Sequence, residues 1–245
     1  MIFKAILFDL DGTLLPMDQD IFVHSYLKGL AVKLAPHGFE PRQLVKSIWD
    51  GTAAMVKNDG SRTNEETFWA SFSSVYGADA RKHEGIFQSF YDNEFQDVRH
   101  VCGYDPDAAS TIAKLKKMGV RVILATNPLF PAIATHSRIR WAGMEPDDFE
   151  LITTYENSSF CKPNPKYYLE ILDKIGCRPQ ECLMVGNDVD EDMIARELGM
   201  EVFLLTECLI NKSGKDISRY SQGTLADLLS YVYSLEDVLT PPSYF

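Results

Sequence analysis

Two aspartates near the amino terminus, Asp9 and Asp11, have types and a spacing that could do chemistry. They follow the apolar run 2–8, which predicts a short buried strand, and Gly12 after them permits a turn that a Cβ would hinder. Residues two apart in an extended backbone point the same way, so the two carboxylates would lie together. Neighbouring carboxylates repel unless a cation or a proton intervenes. The pair therefore predicts a proton-carrying acid, a metal ion or both, with an ordinary acidic turn as the alternative.

Polar residues also follow three later predicted strands, which span 120–125, 149–154 and 181–185. The residues concerned are Thr126 and Asn127, then Lys162 after a short loop, then the run Asn187 to Asp192. Parallel strands present their carboxyl ends at one edge of a sheet, so we expect these side chains to converge with the two aspartates. Each has an ordinary alternative: a capped turn, a solvated lysine and an acidic helix start. Together they supply the hydroxyl, the fixed positive charge and the hard oxygen ligands that a bound phosphate needs.

The stretch Asp9-Leu10-Asp11-Gly12-Thr13-Leu14 resembles the first motif of the haloacid dehalogenase superfamily of phosphotransferring enzymes. The resemblance implies that Asp9 is a nucleophile that becomes an aspartyl phosphate. It also implies that Asp11 is a general acid and base, which protonates the leaving oxygen and then activates water. A carboxylate nucleophile of this kind divides one difficult step into two easier ones.

The later strand ends resemble the other motifs of the family, in the same order and spacing, over residues 1 to about 206. Thr126 matches the second motif, with Asn127 beside it as a further substrate contact, and Lys162 matches the third as a catalytic and substrate-binding lysine. The fourth motif often begins Gly-Asp, whereas a glycine precedes Asn187 here, so either Asn187 or Asp188 can take the first acidic position. We predict a Mg²⁺ cofactor with the ligands Asp9, Asp11, Asp188 and Asp192, the last bound directly or through water.

The spacing of apolar residues predicts the elements that position this chemistry. Beyond about residue 98, predicted strands alternate with helices, which is typical of a doubly wound parallel sheet. Before that, four helices and no strand are predicted, and one helix opens with a capping box between Thr63 and Glu66. We therefore predict an α/β fold: a Rossmann-like core of residues 1–16 and 98–245 with an inserted all-α helical cap domain of residues 17–97.

This insertion resembles the first cap type of the superfamily, which phosphoglycolate phosphatases, nucleotidases and β-phosphoglucomutases share. The resemblance implies that the insertion lies over the carboxyl edge of the sheet and decides the substrate. Its polar turn falls where the substrate-contacting loop of the family would be, so Arg62 is predicted to bind a second anionic group, with a solvated turn as the alternative. His24 and Tyr26 on the first helix are further candidates at the mouth of the site, with surface side chains as the alternative.

Charge and cysteine content limit the partners. The chain has 24 Lys and Arg against 35 Asp and Glu, a formal net charge of −11, so we expect neither nucleic acid nor a membrane surface as a partner. The five cysteines form no C-x-x-C pair and no framework spacing, which favours reduced thiols in a cytoplasmic protein. We find no signal peptide and no apolar run long enough to span a bilayer.

These observations predict a cytoplasmic Mg²⁺-dependent phosphatase. It would hydrolyse a small phosphorylated metabolite through an aspartyl phosphate, as a monomer or a homodimer. Asp11 favours phosphatase or phosphomutase chemistry, because the dehalogenases of the superfamily lack the second aspartate. The alternatives are a sugar phosphomutase of the same fold and a non-enzymatic phosphate-binding regulatory module. Receiver domains of the latter kind are near half this length and have no helical insertion.

Overall fold

The computed structural model describes residues 3–239, and a parallel sheet of six strands forms its centre. In chain order the strands are β1 (Ala5–Phe8), β2 (Arg121–Leu124), β3 (Leu151–Ile152), β4 (Cys182–Gly186), β5 (Glu201–Leu205) and β6 (Ser221–Gly223). Their order across the sheet is β3-β2-β1-β4-β5-β6. The later strands are therefore added on both sides of β1: β2 and β3 on one side, and β4, β5 and β6 on the other. Ligands of doubly wound sheets bind at the carboxyl edge where the strand order reverses in this way.

The strand β1 is buried on both faces, as its apolar sequence predicts. Ile6 and Phe8 pack into one hydrophobic cluster and Ala5 and Leu7 into the other, because side chains alternate along a strand. The register aligns Phe8 with the last residue of β2 and with Val185 of β4. The residues that follow these three strands consequently emerge at the same level of the sheet.

Four helices alternate with or follow these strands after residue 105: α5 (Pro106–Lys117), α6 (Ala132–Trp141), α7 (Pro165–Ile175) and α8 (Leu225–Leu239). Local sequence explains where several begin. The side chain of Asn164 accepts the backbone N–H of Lys166 (3.0 Å), and Pro165 occupies the first helical position, where no N–H is needed. Pro131 immediately precedes α6. The loops after β2 and β3 thus lead from the carboxyl edge directly into helices.

None of the helices in residues 3–239 is long and apolar enough to cross a membrane.

Between β1 and α5 lies a helical segment, residues 19–101. It contains α1 (Gln19–Leu34), α2 (Pro41–Val56), α3 (Asn64–Tyr76), α4 (Glu84–Asp92) and a 3₁₀ helix (Glu94–Val101). The capping box is present, because Thr63 and Glu66 bond each other's backbone N–H. Edge-to-face aromatic contacts, such as Trp69 on Phe87, join the helices. The predicted fold class is confirmed, whereas the boundaries of a separate cap domain stay a prediction.

Three predicted elements differ in length or type. The helix predicted over 78–95 is α4 flanked by 3₁₀ turns, because Asn93 leaves the helical region of backbone space (φ −118°, ψ −82°). The helix predicted over 191–198 is a 3₁₀ helix, Met193–Leu198. The strand predicted over 149–154 is shorter, Leu151–Ile152, although the N–H groups of Glu150 and Thr153 on either side also donate to carbonyls of β2 (2.9 and 3.0 Å).

One strand was not predicted at all. The sequence of β6, Ser-Gln-Gly, has neither apolar nor β-branched residues, and it pairs at the edge of the sheet through its backbone alone. The predicted Pro-containing tail after the last helix, from residue 240 onwards, lies outside the described residues.

Candidate active site

Asp9 lies directly after β1, at the carboxyl edge of the sheet. Its backbone N–H donates to the carbonyl of Val185 on β4 (2.9 Å), which continues the strand pairing. The residue is 7% exposed. Its carboxylate accepts two hydrogen bonds: Lys162 Nζ donates to Oδ1 (2.8 Å) and Thr13 Oγ1 donates to Oδ2 (3.2 Å). A cation and a hydroxyl therefore fix the orientation of this carboxylate.

Lys162 lies between two carboxylates and is 1% exposed. Its Nζ is 2.8 Å from Asp9 Oδ1 and 2.6 Å from Asp192 Oδ1. Burial opposes the charge, but the carboxylates of Asp192 and Asp9 outweigh it and hold the pKa of Lys162 well above its usual range. The ammonium group is consequently a fixed positive charge next to Asp9.

Thr126 and Asn127 follow β2 at the same edge. Thr126 is buried, its carbonyl accepts the Thr153 hydroxyl (2.6 Å), and its own hydroxyl makes no hydrogen bond within residues 3–239. Asn127 connects two neighbouring loops, because its Nδ2 donates to Glu191 Oε2 (3.0 Å) and its Oδ1 accepts the backbone N–H of Lys162 (3.3 Å). The structure thus brings the ends of β1, β2 and β4 and the loop of Lys162 together.

The loop after β4 begins with Asn187, which is 1% exposed. Its Oδ1 lies 3.0 Å from the Thr13 hydroxyl, whose one proton is shared between Asn187 and Asp9, and its Nδ2 donates to the carbonyl of Cys208 (2.6 Å). Gly12 faces this amide with a positive φ of 86°, and a Cβ there would overlap the Asn187 side chain. Glycine is therefore required at this turn for both its backbone conformation and its size.

Asp188 and Asp192 lie further along the same loop. Oδ1 of Asp188 accepts the N–H groups of Asp190 (2.8 Å) and Glu191 (2.9 Å), whereas its Oδ2 accepts no hydrogen bond from the part of the chain that is described. Both oxygens of Asp192 are engaged: Oδ1 by Lys162 and Oδ2 by the N–H of Asp188 (3.0 Å). Asp192 therefore shapes the loop, and Asp188 has a free oxygen.

Asp11 is bound by a residue that the sequence analysis did not identify. Arg138 on α6 is fully buried, and its Nη1 donates to Asp11 Oδ2. Burial raises the pKa of Asp11 to about 6, although the nearby guanidinium opposes the shift. The sequence offered only its spacing, four residues after Ala134 and three before Trp141, which places Arg138 on the same side of the predicted helix as these two residues but does not show that it has a buried partner.

The structure does not bring the three candidates of the helical segment into contact with these carboxylates. Arg62 and His24 are exposed, and within residues 3–239 neither makes an ion pair or a side-chain hydrogen bond. Tyr26 is buried, and its hydroxyl pairs with that of Tyr91 (3.0 Å). A role for Arg62 in substrate binding stays a prediction.

A buried asparagine attaches the helical segment to the loops of the site. Asn64, at the start of α3, is 0% exposed; its Oδ1 accepts Asn58 Nδ2 (2.9 Å) and its Nδ2 lies 3.3 Å from the carbonyl of Pro128. Its backbone N–H donates to the carbonyl of Ser158 (2.8 Å). The preceding turn also touches the core, because a Cβ on Gly60 (φ +90°) would overlap the Phe160 ring.

Replacing Asn64 by Ala is expected to lower the free energy of unfolding by about 1–3 kcal/mol, because the amide of Asn58 and the carbonyl of Pro128 lose a buried partner. Urea unfolding measures the change. Gln43→Ala is the matched control, since the Gln43 side chain is exposed in the same segment and makes no hydrogen bond within residues 3–239, and we expect it to change stability by less than about 0.5 kcal/mol. Equal effects of the two substitutions would show that the Asn64 contacts contribute nothing.

Comparison with known proteins assigns the family. The sequence profile of the haloacid dehalogenase-like hydrolases matches residues 3–198. The chain belongs to this family. Relatives of this hydrolase include a phosphoglycolate phosphatase from Vibrio vulnificus, 26% identical over 227 residues and 93% of each chain. A glyceraldehyde 3-phosphate phosphatase from Methanopyrus kandleri is 24% identical over 192 residues and 78% of each chain.

A second glyceraldehyde 3-phosphate phosphatase, from Methanothermobacter thermautotrophicus, is 29% identical over 121 residues, which are 46% of this chain and 52% of that protein. Solved structures share the fold of this haloacid dehalogenase-like hydrolase. A 2-haloacid dehalogenase from Pseudomonas syringae has a TM-score of 0.61, 21% identity and coverage of 95% and 99% of the two chains. CbbY from Rhodobacter sphaeroides, in complex with phosphate, has a TM-score of 0.57, 18% identity and coverage of 93% and 96%. The predicted family and the prediction of a phosphatase-type hydrolase are confirmed at this level.

The oxygen donors of the site fit a magnesium ion. Residues 3–239 contain no cluster of three or more His, Cys, Asp or Glu side chains in a metal-binding arrangement. Mg²⁺ does not require one, because it binds through one or two carboxylates and completes its octahedron with water and substrate phosphate. Asp188 has a free carboxylate oxygen, and Asp9 retains lone pairs beyond its two hydrogen bonds. Asp11 and Asp192 are engaged by Arg138 and Lys162.

Proposed function

We propose that this haloacid dehalogenase-like hydrolase is a Mg²⁺-dependent phosphatase that forms an aspartyl phosphate on Asp9. The main support for this proposal is that Lys162 and Thr13 orient the Asp9 carboxylate at the carboxyl edge of β1. Phosphoryl transfer depends mainly on positioning and on charge stabilisation, and both are supported by these contacts. The phosphatases among the relatives support the same reaction class.

The reaction proceeds in two displacements at phosphorus. A carboxylate oxygen of Asp9 attacks phosphorus, the bond to the ester oxygen breaks, and Asp11 donates a proton to the departing alcohol. Water then attacks the aspartyl phosphate, Asp11 accepts the proton of that water, and inorganic phosphate leaves with Asp9 regenerated. Lys162 offsets the negative charge throughout, because its ammonium group is held beside Asp9.

The remaining groups bind the phosphate. The Thr126 hydroxyl, which has no partner in the described part of the chain, is the proposed donor to a phosphoryl oxygen, with the Asn127 amide beside it. Asp9 and Asp188 would hold Mg²⁺, which supplies charge neutralisation for the phosphoryl oxygens when bound. Asp192 keeps Lys162 and the Asp188 backbone in place.

The helical segment is the proposed cap over this edge and the determinant of the substrate. Its turn packs through Gly60 on Phe160, two residues before Lys162 in sequence. Arg62 on that turn is the proposed contact for a second anionic group of a small phosphorylated metabolite. The net charge of −11 supports a substrate other than nucleic acid and a location away from anionic membranes. We propose a cytoplasmic enzyme that acts as a monomer or a homodimer.

Phosphate release from a panel of metabolite phosphates, with Mg²⁺ and with EDTA, tests this function. We expect release from at least one ester, its loss in EDTA, and its return when Mg²⁺ is added in excess. Release that persists in EDTA would contradict the metal requirement. An isomerised sugar phosphate without net phosphate release, in the presence of a bisphosphate primer, would instead indicate a phosphomutase.

A further inference from the structure

Arg138 is a charged side chain in the interior of the protein, and the reaction steps above do not use it. It is 0% exposed and lies on α6, at a distance of 127 positions in sequence from its partner Asp11. Arginine is almost never fully buried unless its charge is paired. Its position therefore requires a reason, and the only carboxylate that it contacts within residues 3–239 is Asp11.

The two oxygens of Asp11 have different surroundings. Oδ2 accepts the Nη1 donor of Arg138. Oδ1 is buried and has no hydrogen-bond partner in the described residues. Buried carboxylate oxygens are normally hydrogen-bonded, and one that is not calls for an explanation such as a catalytic role. A substrate oxygen is the partner that the proposed reaction supplies.

The guanidinium of Arg138 is itself held on several sides. Its Nη2 donates to Thr135 Oγ1 (3.3 Å), its Nε to the carbonyl of Ala134 (3.4 Å), and its Cζ lies 4.4 Å from the centre of the Phe130 ring. A planar guanidinium oriented in this way donates in a fixed direction, unlike an ammonium group. The position of Asp11 Oδ2, which accepts from this guanidinium, is consequently restricted.

We propose that Arg138 is a positioning residue, which binds Oδ2 of Asp11 and so leaves Oδ1, the oxygen without a partner in the described residues, for the proton transfers of the reaction. This inference rests on the proposed phosphatase function, since it assigns how the acid of that reaction is aimed. In the first displacement Oδ1 gives its proton to the departing oxygen as the phosphorus–oxygen bond breaks. In the second displacement the same oxygen takes the proton of water.

A purely structural role for Arg138 makes a different prediction. If the guanidinium only neutralised a buried charge, its loss would reduce the amount of correctly folded enzyme and slow every substrate equally. If it aims Asp11, its loss slows esters that need a proton on the departing oxygen more than esters that do not. Alkyl phosphates need that proton, whereas p-nitrophenyl phosphate releases a stable phenolate with little assistance.

The test compares kcat/KM for one alkyl phosphate and for p-nitrophenyl phosphate in Arg138→Lys, which retains the positive charge, and in Arg138→Gln. The ratio kcat/KM reports the steps up to the departure of the alcohol or phenol. A slow hydrolysis of the aspartyl phosphate therefore does not hide a change in the first displacement. We expect a loss on the order of 10²-fold for the alkyl ester and less than about tenfold for the nitrophenyl ester, the scale of lost general-acid assistance. Asp11→Asn should show the same pattern.

Two further variants keep the result interpretable. Thr135→Val removes the hydroxyl that orients the guanidinium at nearly constant volume, and we expect the same selectivity with a smaller loss. Arg140→Gln, on the exposed side of the same helix, should leave kcat/KM unchanged for both esters. Equal losses for the two esters, or no loss in Arg138→Lys, would overturn the positioning role. Failure of the wild type to release phosphate from any ester of the metabolite panel would contradict the phosphatase function instead, and the alkyl phosphate of this test is the best substrate of that panel.

Discussion

Asp9→Asn is expected to abolish phosphate release while the protein remains folded. An amide is a poor nucleophile, so the first displacement at phosphorus stops, with a loss of about 10⁴-fold to 10⁶-fold in kcat, the scale seen when an enzyme loses its nucleophile. The fold should tolerate the change, because the amide oxygen still accepts Lys162 and the two side chains have nearly the same shape. Phosphate release and thermal unfolding, measured on the same preparation, check both parts.

The control for this substitution is Asp173→Asn, the same chemical change at an exposed position on α7. It should leave kcat within about twofold, since surface substitutions away from a site have small effects. The intermediate can be sought directly: wild type quenched during turnover of a radiolabelled ester should carry label that hydroxylamine removes, and the Asp9 variant should carry none. An Asp9→Asn enzyme that retains more than about a tenth of the activity would rule out Asp9 as the nucleophile.

The convergence of the site was predictable because it depends on topology rather than on detail. Residues that follow parallel strands must emerge at one edge, so Asp9, Thr126 and Asn187 are neighbours once the strands are recognised. The strands were recognisable because they are continuous apolar runs, such as the one that ends at Phe8. The main features of the sheet and its carboxyl edge therefore followed from pattern alone.

The partners of the site residues were not predictable in the same way. Arg138 and Asn64 are polar residues on helices, and their spacing does not distinguish a buried partner from a solvated side chain. Their contacts join positions that are far apart in sequence: Arg138 meets Asp11, and Asn64 meets Pro128. Such contacts depend on how the helices pack on the sheet, which local pattern does not specify.

The location of Lys162 could be predicted from the sequence, but its contacts could not. Sequence order predicts that Lys162 lies at the edge with Asp9, but not that it is inserted between two carboxylates at 2.8 Å and 2.6 Å with almost no exposed surface. That depth gives Lys162 a structural role beside the catalytic role that we propose for it. The two roles can be separated only by measuring activity and stability together.

Lys162→Met is expected to lower both the activity and the free energy of unfolding. Loss of the ammonium group removes the charge that offsets the phosphate, which should reduce kcat/KM on the order of 10²-fold to 10³-fold. It also leaves the buried carboxylates of Asp9 and Asp192 without their cation, and breaking a buried ion pair in this way costs about 3–5 kcal/mol. Lys28→Met is the matched control, because Lys28 is exposed on α1, makes no ion pair within residues 3–239 and should change stability by less than about 0.5 kcal/mol.

The pH dependence of this loss identifies its cause. Burial raises the pKa of Asp192 to about 7, and Lys162 opposes that shift, so removing the lysine raises this pKa further. A carboxyl whose pKa is raised in the folded state favours folding in its protonated form, and that contribution is lost as the pH rises through the folded pKa. The stability difference between wild type and Lys162→Met, measured by urea unfolding without added metal, should therefore grow as the pH rises above about 7. A difference that is constant across this range would show that Lys162 stabilises the fold through packing and not through its charge.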